Sequence, residues 1–224
     1  MNRPLTPSKA ETDLLPPFHG LPLERIFVPD SGPKFAAAAE EIMAAGVVGF
    51  DTESKPTFLK AEVSEGPHIV QFALPDKAFI FQLHHGGCHA LLIELLRSQE
   101  LLKVGFGLES DQGQIQQKLG LRLGAVLDLN RLFRQDGYAT STGVRAAVGI
   151  VFQQKFQKSK KVTTSNWAVQ QLTARQLLYA ANDAYAALRV LIAMNRPQAE
   201  LPISGMTSPN DKADMADVTH HTQG

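Results

Sequence analysis

Six short apolar runs, at residues 26–28, 47–53, 69–74, 78–83, 101–106 and 125–127, alternate with longer segments whose apolar residues recur at helical spacing. Runs this short fit strands, whereas helices need more residues to close several turns. The segments between them carry helix punctuation. Residues 33–45 begin at Pro33, which suits a first helical turn, and stop at Gly46. Residues 88–97 form a second helix, and Ser110 is read as the cap of a third that Gly120 ends. More helix follows residue 127. The last helix opens with Thr173 and Gln176 in capping-box spacing and runs to about Met194. Pro75 and Asp76 separate two of the runs closely enough to predict antiparallel neighbours. The expected class is therefore α/β: a mixed β-sheet flanked by α-helices.

The chain's 224 residues suffice for one good-sized core and fall short of two ordinary domains with linkers. Residues 21–196 are read as the folded unit. The proline-punctuated residues 1–20 are expected to be a flexible tail or a strap across the surface. Residues 197–224, interrupted by Pro197, Pro202 and Pro209, are expected to be disordered. Zero formal net charge excludes nucleic-acid binding by overall charge, so any basic surface has to be local. The single cysteine, Cys88, excludes an internal disulfide framework and fits a reducing compartment. No stretch is expected to reach membrane-span length, and the N-terminus lacks the apolar core of a secretory signal. A cytoplasmic location without a membrane partner is the expectation; the sequence assigns no protein partner.

The chemistry is concentrated in three segments. Phe50-Asp51-Thr52-Glu53 ends the second run, where side chains alternate between faces, so Asp51 and Glu53 project on the same side. Paired carboxylates suit a hard divalent cation, which takes oxygen ligands and keeps waters for substrate contact. In the second segment, residues 104–111, Gly105 and Gly107 start a dinucleotide-like fingerprint, but Ser110 stands where the third glycine belongs. Asp111 then falls in a first helical turn, where a carboxylate also complements the helix dipole. In the third segment, Tyr179 and Asp183 are four residues apart, about 40° around a helix, whereas Tyr185 lies about 200° from Asp183. Leu177, Ala181, Ala184, Leu188 and Leu191 form a separate apolar stripe.

Taken together, four carboxylates and a tyrosine in this order resemble the tyrosine subclass of the DEDD exonuclease superfamily. Gly49-Phe50-Asp51-Thr52-Glu53, the glycine-rich run from Gly105 through Gln112, and Ser165-Asn166-Trp167 ahead of residues 179–186 resemble its Werner-type and ribonuclease-D-like branch. The resemblance extends over about residues 26–191, without the helicase or accessory helical domain of larger members. It implies a ribonuclease-H-like, DnaQ-like exonuclease fold and hydrolysis of terminal phosphodiester bonds from the 3′ end, releasing nucleoside monophosphates. It further implies that Asp51, Glu53, Asp111 and Asp183 hold two Mg²⁺ or Mn²⁺ ions, while Tyr179 positions the attacking water. DNA and RNA both stay open as substrates.

One feature points to nucleic acid independently of that resemblance. No acidic residue occurs from Gly137 through Asn182, a stretch that holds Arg145, Lys155, Lys158, Lys160, Lys161 and Arg175. Such a block suits a phosphate backbone lying beside an acidic metal site. Lys155, Lys158, Lys160, Lys161 and Trp167 are the candidate contacts, with core packing the competing role for Trp167. His84, His85, Cys88 and His89 lie close together but are read as incidental to a turn, not as a zinc site. Asp128 is read as a helix-start residue. A non-catalytic nucleic-acid-binding or scaffold protein on the same fold is the rival reading; the presence of all four carboxylates ranks it below an enzyme.

Overall fold

The computed structural model describes residues 3–57 and 62–206. Six strands, β1 (Ile26–Phe27), β2 (Val47–Glu53), β3 (Ile69–Ala73), β4 (Ala78–Gln82), β5 (Leu102–Gly105) and β6 (Val126–Asp128), form one sheet in the order β1-β4-β3-β2-β5-β6. β2, β3 and β4 are antiparallel neighbours, while β5 runs parallel to β2, β6 to β5 and β1 to β4. The helices are α1 (Lys9–Asp13), α2 (Gly32–Ala45), α3 (His89–Arg97), α4 (Glu109–Leu119), α5 (Leu129–Gln135), α6 (Val144–Phe152), α7 (Lys160–Thr163) and α8 (Ala174–Met194).

Strand alternation divides the core between the two faces of the sheet. Val48, Phe50, Val70, Phe72, Phe79 and Phe81 pack with Phe35 and Ile42 of α2 and with Leu92, Leu95 and Leu96 of α3. Each fully buried phenylalanine contributes about 1.5–3 kcal/mol. The opposite face, with Ile69, Ala73, Ala78 and Ile80, meets Ala180, Ala181 and Ala184 of α8. Further along, α8 turns Ala186, Ala187 and Val190 to Leu102, Val104 and Leu127. Alanines here keep the helix low on the sheet. The closest approach is at Gly49, where a Cβ would stand 1.9 Å from the Ala184 carbonyl oxygen.

By length and composition α8 suffices to cross a membrane, contrary to the expectation that no stretch does. In the fold it is the central core helix, and its hydropathy reflects burial by the sheet, α6 and the N-terminal strap. Lys103 interrupts the apolar run of β5, yet it is fully buried. Its ammonium donates to the carbonyls of Leu95, Ser98 and Leu101, which satisfies all three protons at the C-terminal end of α3.

Several caps follow the sequence. Gly46 and Gly120 end α2 and α4 with positive φ, Thr173 and Gln176 form the capping box of α8, and Asp128 caps α5 by accepting from the Asn130 N–H. Ser110 does not cap α4. The helix begins one residue earlier, after Leu108, and the Ser110 hydroxyl donates back to the Gly107 carbonyl instead.

Both terminal segments are packed where they are described. Of the two alternatives for the N-terminal segment, the described residues take the strap. Ser8 caps α1 through a capping box, Thr12 is buried, and α1 packs on α6. Phe18 enters a cluster with Phe152, Phe156 and Tyr185 at 5.7, 5.9 and 6.3 Å between rings. Pro17 and Lys155 form a parallel bridge, and the Leu21 backbone exchanges hydrogen bonds with the Asn182 amide at 2.6 and 3.2 Å. At the other end, Ser204 pairs with Val126 through two backbone hydrogen bonds of 2.8 Å, covering the β6 edge. The expectation of disorder from residue 197 therefore fails for this segment. Its remainder, residues 207–224, lies outside the described residues.

Candidate active site

Asp51 and Glu53 stand on the face of β2 that meets α8, and Asp183 comes down from α8 beside Ala184, the residue Gly49 lets so close. Carboxylate oxygens of Asp51, Glu53 and Asp183 all lie within 4.8 Å of one another. The shortness of the Gly49–Ala184 contact sets this spacing, because a larger residue at position 49 would lift the helix and its carboxylate off the strand.

Asp111, the remaining acidic candidate, stands outside that trio. It is buried on the first turn of α4 and accepts a short hydrogen bond from the Thr52 hydroxyl. Its charge still reaches the cluster and raises both Asp51 and Glu53. Asp128, by contrast, is occupied with the backbone N–H groups of Gly107 and Asn130. The histidine–cysteine group is occupied too: Cys88 donates to the His85 carbonyl, and the His89 ring nitrogen lies 2.8 Å from the Leu83 carbonyl.

The electrostatics of the pocket demand positive charge. Burial, then the charges of Asp111, Asp183 and Glu53, push Asp51 well above the usual carboxylate range. Burial and Asp183 raise Glu53 to about 8. Burial raises Asp183 as well, with Lys158 and Tyr179 pulling it back. Asp183 Oδ2 is buried without a hydrogen-bond partner, although the Lys158 ammonium stands 3.1 Å from it as an ion pair. Clustered hard oxygen donors fit a divalent cation that prefers carboxylate ligands. Gln71, the cross-strand partner of Asp51, is also fully buried with both amide atoms unpartnered. Sequence reading missed it, because a lone glutamine in an apolar strand gives no pattern.

Tyr179 shares the pocket side of α8, as its spacing predicts. Its hydroxyl accepts from Thr163 at 2.8 Å, and its hydrogen bond to Asp183 lowers that carboxyl. Burial and the charge of Asp183 push the phenol upward, which keeps it protonated. Trp167 is 1% exposed. Its indole donates to the Thr163 carbonyl and its ring lies 6.0 Å from Tyr179, so it braces the tyrosine; a direct nucleic-acid contact is excluded by burial. Gln176 ties this turn to α8 by donating to Ser165 and the Asn166 carbonyl. Tyr185 is buried elsewhere, against Phe18 and beneath an Arg189 guanidinium that donates to its hydroxyl.

A groove of about 1170 Å³ opens beside Tyr179, and all six cations of the acid-free stretch line it, joined by Lys9 from the strap. Not all are available for phosphate. Lys155 is paired with Asp13 of α1 at 3.2 Å, so its candidacy as a nucleic-acid contact weakens. Lys158 is drawn inward to Asp183. Lys160 and Lys161 are exposed on α7.

This combination, a ribonuclease-H-like sheet with a carboxylate pocket at the junction of its central strand and its longest helix, defines an exonuclease-type nuclease fold. A family model described as 3′-5′ exonuclease matches residues 28–197, and the chain belongs to that family. A 3′-5′ exonuclease of Arabidopsis thaliana is 28% identical over 141 residues, covering 62% of this chain and 49% of its own. The mouse bifunctional 3′-5′ exonuclease/ATP-dependent helicase WRN is 26% identical over 171 residues, 70% of this chain. The chain thus spans about half of the plant relative and 12% of the mouse one. Among solved structures, the Aedes aegypti Nibbler EXO domain superposes with a TM-score of 0.66 at 24% identity, over 79% of this chain and 90% of that one. Trypanosoma brucei RNase D in complex with RNA U12 superposes at 0.68 with 20% identity, over 79% and 64%. These likenesses establish the fold.

Proposed function

We propose that the chain hydrolyses terminal phosphodiester bonds of nucleic acid from the 3′ end, as a two-metal enzyme of the tyrosine subclass. The observation that carries the reading is the trio Asp51, Glu53 and Asp183, half-buried or buried at the junction of β2 and α8, each offering an oxygen within 4.8 Å of the others. Asp51, Glu53 and Asp183 would hold Mg²⁺ or Mn²⁺, with Asp111 completing the set for a second ion. Two such ions about 3.5–4 Å apart would stabilise charge on the attacking and leaving oxygens and acidify bound water. Tyr179, held protonated and anchored by Thr163, would orient the attacking water through its hydroxyl. The basic groove would seat the phosphate backbone upstream of the 3′ end. Nucleoside monophosphates would be the products.

Trypanosoma brucei RNase D has been solved with RNA, which supports nucleic acid as substrate here and leaves DNA and RNA to be separated by assay. Location in the cytoplasm, free of membrane, is part of the same proposal, supported by the single reduced Cys88 and testable by cell fractionation. The deciding experiment is degradation of 5′-labelled and 3′-labelled single-stranded, duplex and recessed-end DNA and RNA, with Mg²⁺, with Mn²⁺ and with EDTA. Shortening of 5′-labelled strands from the far end, dependent on metal, is expected. Loss of the 5′ label first, or turnover in excess EDTA, would overturn the assignment.

A further inference from the structure

The carboxylate pocket contains a cation of its own. Lys158 Nζ stands 3.1 Å from Asp183 Oδ2 as an ion pair, on a carboxylate that is otherwise buried. The side chain reaches this position from the segment between Phe156 and α7, which belongs to neither helix nor strand. It lines two spaces at once: the basic groove, and a small cavity of about 150 Å³ that also holds Asp51 and Asp183. The Tyr179 ring centre lies 5.9 Å from the ammonium, on the groove side of the pocket.

We propose that Lys158 is a tethered counter-cation of the carboxylate pocket, which a divalent metal must displace from Asp183 in order to bind. The inference rests on reading the pocket as a metal site. A metal bound to Asp183 would sit about 2.0–2.1 Å from the oxygen that Lys158 now approaches. Dication and ammonium cannot both face Asp183 Oδ2 at contact distance without strong repulsion. Lysine suits displacement because its ammonium is a point charge on a flexible four-carbon stem, not a planar fork committed to two oxygens. The aromatic face of Tyr179 offers the displaced ammonium a neighbouring seat, and from the groove its charge faces incoming phosphate. Charge in the pocket is thereby kept near balance with and without metal.

Competition of this kind is a coupling between two ligands of one site, and such couplings commonly amount to 5–150-fold in affinity. The test is calorimetric titration of Mn²⁺ into EDTA-stripped full-length wild type, Lys158→Met and Lys158→Arg, with melting curves for each with and without metal. Lys158→Met, which keeps the stem and removes the charge, should bind Mn²⁺ about tenfold more tightly. It should also melt lower than wild type without metal and level with it when saturated. Lys158→Arg should bind metal within about twofold of wild type. Equal or weaker Mn²⁺ binding by a folded Lys158→Met would overturn the proposal. If that variant folds only with metal, displacement of Mn²⁺ by graded EDTA supplies the same affinity comparison on the loaded protein. Wild type that binds no divalent cation at all would instead overturn the metal-site reading beneath it.

Discussion

The acidic pocket and the basic groove meet at Tyr179, yet they are built in opposite ways. The pocket rests on the middle of the sheet and on the longest helix, and its carboxylates are buried or half-buried against packed backbone. The groove is lined by a loop, a four-residue helix and an N-terminal strap, and its unpaired lysines are exposed. Chemistry that demands sub-ångström placement stands on rigid elements, whereas attraction of a polyanion tolerates mobile cations. Changes in the pocket should therefore alter turnover, and changes in the groove should alter binding.

The sharpest test of that division is Asp51→Asn. It should leave the protein folded and lower kcat by about a thousandfold or more, because one negative ligand leaves a clustered cation site. Near-normal turnover would remove the pocket from the mechanism. Next in size is the tyrosine comparison. Tyr179→Phe should lower kcat by roughly ten- to a hundredfold with little change in metal affinity, on the scale of a lost catalytic hydrogen bond. Tyr185→Phe should keep most activity and show any cost as a lower Tm, since its hydroxyl serves only Arg189. The reverse pattern would mean that the helix faces are misassigned.

For the groove, Lys160→Glu with Lys161→Glu should raise KM about tenfold and flatten the salt dependence of binding, leaving kcat near wild type. A selective loss of kcat instead would show that these lysines belong with the chemistry. The pocket also predicts a pH signature. Glu53 and Asp51 hold protons more tightly folded than unfolded, so between pH 4.5 and about 8 the folded state carries more protons. Stability of metal-free protein should then fall as pH rises through that window. A drop in Tm of several degrees from pH 5 to pH 8 in EDTA, abolished by saturating Mg²⁺, is the expected record; a rise would contradict the burial of the trio's charge. The smallest effect is expected at Lys155→Ala. Its partner is exposed Asp13, so the loss should stay within about 1 kcal/mol, with KM nearly unchanged. A large KM increase would return Lys155 to the phosphate path.

Local periodicity carried much of this architecture. Alternation along residues 47–53 placed Asp51 and Glu53 together, and four-residue spacing placed Tyr179 beside Asp183, because both patterns depend only on backbone geometry. The acid-free stretch from Gly137 to Asn182 marked the groove. What stayed illegible depends on contacts between distant segments. The strap has no period, since Thr12, Phe18 and Leu21 are held by α6, the Phe152–Phe156 cluster and Asn182. Composition alone cannot show that one lysine of the basic block turns into the acidic pocket, nor that Trp167 is sealed behind Thr163. Asp111 reads as an equal member of the carboxylate set, yet it hydrogen-bonds the Thr52 hydroxyl and lies outside the close trio.

The strap has a consequence for where the protein can be cut. The stretch matched by the family model begins at residue 28 and ends at residue 197, so it includes neither the strap nor the Ser204 pairing on β6. A shortened chain trimmed to that matched stretch would keep Asp51, Glu53, Asp111 and Asp183. It would nevertheless uncover Phe152, Phe156 and Tyr185, free Asn182 from Leu21 beside Asp183, and strip the groove of Lys9 and Asp13. The matched stretch and the packed unit are different lengths in this protein, and only the longer one closes the wall beside Asp183 and Tyr179.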